Sequence, residues 1–117
     1  MSDIHVDDDV LTTLRDVMED EYPALLEAYL VDAEERLSVL RETLARADAE
    51  GMRQAAHSFK GSCGNLGVAR LAEFCQQLER VARAGELELG QHLLAQMELE
   101  FVLVRGLFEA ELKRFIA

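Results

Sequence analysis

Apolar residues recur at steps of three and four along almost the whole chain, and that period restricts the fold to helices. Leu26, Leu30, Ala33, Leu37, Leu40 and Leu44 form one such stripe, the spacing by which a helix of 3.6 residues per turn buries a single face. A second runs through Leu94, Met97, Phe101, Val104, Phe108, Leu112 and Phe115. No stretch alternates apolar and polar residues as a strand does, and the one proline, Pro23, stands where a helix can begin. Turn signals at Ala47 to Ala49, Asn65 to Gly67 and Ala84 to Gly85 mark out two shorter helices, about 50–64 and 68–84. Asp48 is placed to cap the first and Gly85 to end the second. The pattern predicts an all-α, up-down-up-down antiparallel four-helix bundle over about 23–116, its first helix running from Pro23 to Arg46. An additional short N-terminal helix is expected at about 9–18, with Val10, Leu14 and Val17 covering one end of the bundle or offered to a partner.

The 117 residues, 50% of them hydrophobic, suffice for one core and are read as a single domain, 1–117. No apolar run approaches the roughly 18 to 20 residues of a membrane span, and the acidic start MSDIHVDDDV lacks the order of a signal peptide. The expectation is a soluble, cytoplasmic protein with no membrane partner. Cys63 and Cys75 fit neither a CxxC pair nor a zinc knuckle and are expected as reduced core residues. Glu-x-x-His pairs of a di-metal bundle are absent, so no metal and no cofactor of the chain's own is expected.

A net charge of −11 argues against a nucleic-acid partner, because phosphate backbones demand clustered Lys and Arg. The charge is unevenly spread. Residues 51–85 carry five bases and two acids, a net of +3, whereas residues 1–50 carry 15 acids and four bases. A local anion site inside an acidic chain fits this distribution, as do scattered surface arginines.

Within the basic segment the stretch AAHSFKGSCGNLG, residues 55–67, places Gly61 and Gly64 in a helical pattern, where each costs about 1 kcal/mol relative to alanine. At about 100° per residue, Arg53, Lys60, Gly61 and Gly64 all fall within about 60° of His57, while Met52, Ala55, Ala56, Phe59, Cys63 and Leu66 fall opposite. The apolar stripe continues past Gly61, so the helix is expected to run through it. Bare positions beside an exposed histidine let a second macromolecule bring its own active site against the ring. An imidazole with an unperturbed pKa near 6.5 is largely neutral at pH 7 and can accept a phosphoryl group on a ring nitrogen. Lys60, a helical neighbour of His57, is placed to balance the phosphoryl charge.

The stretch AHSFKGSCGNLGVARLAEFCQQLE, residues 56–79, resembles the signature of the histidine-containing phosphotransfer (HPt) domains of multistep two-component signalling. In that signature a phospho-accepting His is followed by Lys-Gly, small residues, a Leu-Gly and an L-x-x-x-C-x-x-L-E helix. The resemblance implies phosphorylation of His57, electrostatic assistance by Lys60, and a docking face cleared by Gly61 and Gly64 with Arg53 beside it. Some relatives carry a glutamine that bonds the accepting ring. By spacing that position is Glu79 here, with Gln76 one turn earlier. Glu79 either accepts from the distal ring N–H and favours the productive tautomer or is a solvent-facing charge.

The function implied is a phosphoryl carrier between aspartates of receiver domains, those of response regulators and of hybrid sensor histidine kinases, with Mg²⁺ expected on the receiver. The chain has no Walker loop and no kinase glycine motif, so it is not expected to be a kinase; because the domain fills the chain, a freestanding shuttle is expected, and a monomer. An alternative is a helical module that binds and inhibits a receiver or kinase without carrying phosphate. A small helical enzyme has little support, since His5 and His92 lie far from His57 and no nucleophile-base pair is evident.

Overall fold

The computed structural model describes residues 5–116, so residues 1–4 and 117 of the expected domain lie outside the described residues. Five α-helices follow in order: α1 Asp8–Met18, α2 Tyr22–Ala45, α3 Ala49–Asn65, α4 Ala69–Arg83 and α5 Leu87–Ile116, with a 3-10 turn at Glu19–Glu21 between α1 and α2. Helices α2 to α5 form the expected up-down-up-down bundle, each packing on the next and α5 closing against α2. The helix boundaries expected from sequence differ from these by about one residue.

Each connection has a local cause. Asp48 accepts a hydrogen bond from the Gly51 amide and caps α3. Ala47, Gly67 and Gly85 take positive φ in the three interhelical turns. At Gly67 a side chain is also excluded by space, since a Cβ would lie 2.8 Å from the Val10 side chain.

The two predicted stripes enter the core. Leu26, Ala33, Leu37 and Leu40 of α2 and Leu94, Met97, Phe101, Val104 and Phe108 of α5 are buried, as are Met52, Ala56, Phe59 and Cys63 of α3. Sequence periodicity passed over Tyr29, whose buried ring packs 5.4 Å from Phe108 and whose hydroxyl meets Cys63 Sγ at 3.2 Å. Cys63 and Cys75 are free thiols inside the core. The neighbouring Cys63 and burial push the Cys75 thiol far above its ordinary range, which leaves it unreactive.

Helix α5 has 30 residues, about 45 Å at 1.5 Å per residue, and spans the long dimension of the molecule. The α3–α4 hairpin is roughly half as long, so the C-terminal half of α5 needs another cover. Helix α1 supplies it. Asp7 N–H donates to the Gly67 carbonyl at 2.7 Å, Leu11 enters the core, and Arg15 reaches Glu111 at 3.1 Å. The short helix therefore covers one end of the bundle, but with a rotated face. Leu11 is buried and Leu14 and Met18 pack against the core, whereas Val17 is 72% exposed. The rotation follows from the fit of Val10 against Gly67 and from the exit at Glu19, whose φ is 52°.

Candidate functional site

Helix α3 runs unbroken through Gly61 to Asn65, and its polar face carries His57 near the middle. The tight turn at 66–68 folds α4 back antiparallel beside it, which brings Glu79 across from His57. The Glu79 carboxylate is the hub of the site. Its Oε2 lies 3.1 Å from His57 Nδ1, Lys60 Nζ donates to its Oε1 at 3.2 Å, and Arg83 Nη2 stands 3.6 Å from Oε2. The His57 side chain is 64% exposed, the Glu79 side chain only 11%.

Burial pushes the Glu79 carboxyl up, but the bond from Lys60 and then that with His57 outweigh it and hold the group below its usual range. Glu79 is therefore ionised at neutral pH, and an ionised carboxylate only accepts hydrogen bonds. The contact therefore suits the ring tautomer that carries its proton on Nδ1 and its lone pair on Nε2. The Glu79 carboxylate thus lies against the ring and is nearly buried.

The glycines border the site without an internal packing duty. A Cβ added at Gly61 or Gly64 meets nothing within 4 Å, and both positions are exposed. Arg53, grouped with His57 by helical angle, is instead committed to Glu50. Its Nε and Nη2 donate to the two carboxylate oxygens at 3.0 and 2.7 Å, and together with Gln54 it lowers the Glu50 pKa to about 2. Gln76 lies on the exposed surface of α4, and the contact to the ring comes from Glu79 one turn later. Ser62 donates to Asp32 on α2 at 3.2 Å, and Arg36, paired with the same Asp32, donates to Ser58. These bonds fix the side of α3 next to the histidine.

The family model for the Hpt domain matches residues 24–114. The chain belongs to the Hpt domain family. Among solved structures, this Hpt domain is similar to the crystal structure of histidine-containing phosphotransfer protein B (HptB) from Pseudomonas aeruginosa PAO1, with a TM-score of 0.93 and 50% identity, covering 97% of this chain and 98% of that one. It also matches the X-ray structure of a putative histidine-containing phosphotransfer protein from rice, with a TM-score of 0.86, 17% identity and coverage of 96% and 84%, a likeness of fold alone. No curated protein sequence matched.

One residue of this Hpt domain's site escaped sequence reasoning. Arg83 follows Glu79 by four positions, and an i, i+4 Glu-Arg pair on one helix face was a usable signal. No helix among the described residues is long and apolar enough to cross a membrane.

Proposed function

We propose that this Hpt domain is a phosphoryl carrier that relays phosphate between aspartates of receiver domains through a phosphohistidine at His57. Family membership supports the carrier role, and the reading of His57 rests on one observation: an exposed imidazole anchored through Nδ1 to an ionised glutamate. In the forward step, the Nε2 lone pair attacks the phosphorus of an aspartyl phosphate. The N–P bond forms as the bond from phosphorus to the acyl oxygen breaks, and the receiver's aspartate leaves as carboxylate. The ring, still protonated at Nδ1, becomes cationic, and Glu79 stabilises that charge across the 3.1 Å contact. Transfer to the next receiver reverses these steps. Such chemistry depends mainly on positioning and charge balance, with Lys60 held beside the ring and free to exchange Glu79 for the phosphoryl oxygens.

The receiver supplies the aspartate and, in this reading, the Mg²⁺, so the carrier acts in the cytoplasm without kinase activity or a cofactor of its own. The acidic surface disfavours nucleic acid, and bare Gly61 and Gly64 admit the receiver. The inhibitory-module alternative is not favoured by a ring already held in its nucleophilic tautomer. Incubation with a phosphorylated receiver should yield acid-labile, base-stable phosphate on the wild-type protein and none on His57→Gln, which should fold normally. Full labelling of that variant would place the phosphosite elsewhere.

A further inference from the structure

Helix α5 carries a second apolar seam that the bundle does not use. Leu99 is 71% exposed and Val102 61%, and Leu89, Leu103 and Leu107 are also exposed. The seam keeps strict steps of three and four: Leu89, His92, Gln96, Leu99, Leu103, Gly106, Ala110, Lys113. All eight are exposed, and no charge interrupts them before Lys113, in a chain whose composition is 30% charged. The 3.5-residue spacing is that of a two-stranded coiled-coil seam, here with leucine at three of the eight positions.

The pattern is also self-complementary. When two copies of the seam run antiparallel with Leu99 facing Leu103 of the second copy, Gln96 faces Gly106 and His92 faces Ala110, larger side chains against the smallest, while Leu89 lies along the stem of Lys113. A Cβ at Gly106 meets nothing within 4 Å, so that position is open to an incoming side chain. The same register sets exposed Glu88 near Arg114 of the second copy at both ends, an arginine that also pairs with Glu111 of its own helix. A parallel arrangement would instead place Glu88 beside Glu88. The 25 positions from Leu89 to Lys113 extend about 37 Å, the scale of a short coiled coil.

We propose that this outer face of α5 is a self-association surface, forming an antiparallel dimer that is weak and concentration-dependent. Helix α3 packs on α2 and α4, and α5 packs on the same two helices from the other side of the bundle. The dimer therefore leaves both His57 faces open, in contrast to the monomer expected from sequence.

Sedimentation equilibrium of the full chain from micromolar to millimolar concentration tests the proposal. The average mass should climb from 13.1 kDa towards twice that value. Leu103→Glu and, separately, Leu99→Glu should weaken association at least tenfold with unchanged melting temperature and unchanged phosphate labelling at His57. Glu88→Arg should weaken it severalfold, because the antiparallel register then sets cation against cation at both ends. A mass that stays at the monomer value, or a dimer indifferent to both leucine variants, overturns the proposal. Association unchanged by Glu88→Arg overturns the antiparallel register, since a parallel one merely exchanges Glu88 beside Glu88 for Arg beside Arg. None of these results bears on phosphorylation of His57, which is read separately by labelling.

Discussion

Two of the three buried glutamates among the described residues each gather two cations and one further donor, yet in different settings. Glu79 on α4 gathers His57, Lys60 and Arg83. Glu111 on α5 gathers Tyr22, Arg15 and Arg114. In both, burial pushes the carboxyl up and the donors more than compensate, so that both remain ionised. The difference lies in the neutral partner. Tyr22 is fully buried and gives its hydroxyl proton to Glu111 at 2.8 Å, and burial followed by that bond raises the phenol's pKa. His57 offers most of its ring to solvent. The first cluster ties α1 and the start of α2 to α5; the second holds an exposed imidazole that, in the proposed function, accepts the phosphoryl group.

The contrast breaks most visibly at Glu111. Replacing it with leucine leaves the Tyr22 hydroxyl buried without an acceptor, at a cost of about 1–3 kcal/mol, so Glu111→Leu should unfold at lower temperature and denaturant while its labelling by a phosphorylated receiver stays normal. The lowered carboxyl gives this a pH signature. Its stabilisation is present above the ordinary carboxylate range and is lost as pH falls through that range and below it. Acid unfolding followed by circular dichroism should therefore show a shallower fall in stability for Glu111→Leu than for wild type. A variant as stable as wild type would remove the clamp from the account.

Glu79→Gln should show the reverse pattern. Without the negative charge the ring loses its support as it becomes cationic, and transfer should slow about tenfold, a change of about 1.4 kcal/mol in barrier, with the melting temperature nearly unchanged. Rapid-quench transfer and thermal unfolding measured together decide this. A variant that melts early and transfers normally would make Glu79 a second structural clamp.

The smallest effect is expected beside the site. Because a side chain at Gly61 meets no neighbour, Gly61→Gln should keep or raise stability by several tenths of a kcal/mol while weakening receiver binding. Titration calorimetry alongside thermal melts would show stability and docking moving in opposite directions. A destabilised protein would contradict the open-face reading.

Much of this was legible in the sequence because it is local. The period of α3 alone separated Phe59 and Cys63 from His57, Lys60 and the two glycines, and the steps of α2 and α5 named most of the core. Contacts between helices were less legible. Spacing nominated Glu79 but did not tell a ring acceptor from a surface charge, since only the packing angle of α3 on α4 decides whether its oxygens reach Nδ1. That Lys60 shares the same carboxylate depends on the same angle. Arg53 illustrates the converse, for helical angle grouped it with His57, yet the nearer Glu50 one turn back captured its guanidinium. In α1 the stripe was visible, but which of its residues face the bundle depends on distant partners such as Gly67 and Glu111, and Leu11 is buried where Val17 is exposed.

The central claim is that Glu79 fixes the His57 ring with its proton on Nδ1 and its nucleophilic lone pair on Nε2. Long-range proton–nitrogen correlation NMR on nitrogen-15 histidine-labelled protein, before and after phosphorylation, reads both nitrogens directly. The account predicts the Nδ1–H tautomer for neutral His57 in the free protein and phosphorus bonded to Nε2 in the phosphorylated one. A dominant Nε2–H tautomer, or phosphate on Nδ1, would contradict it.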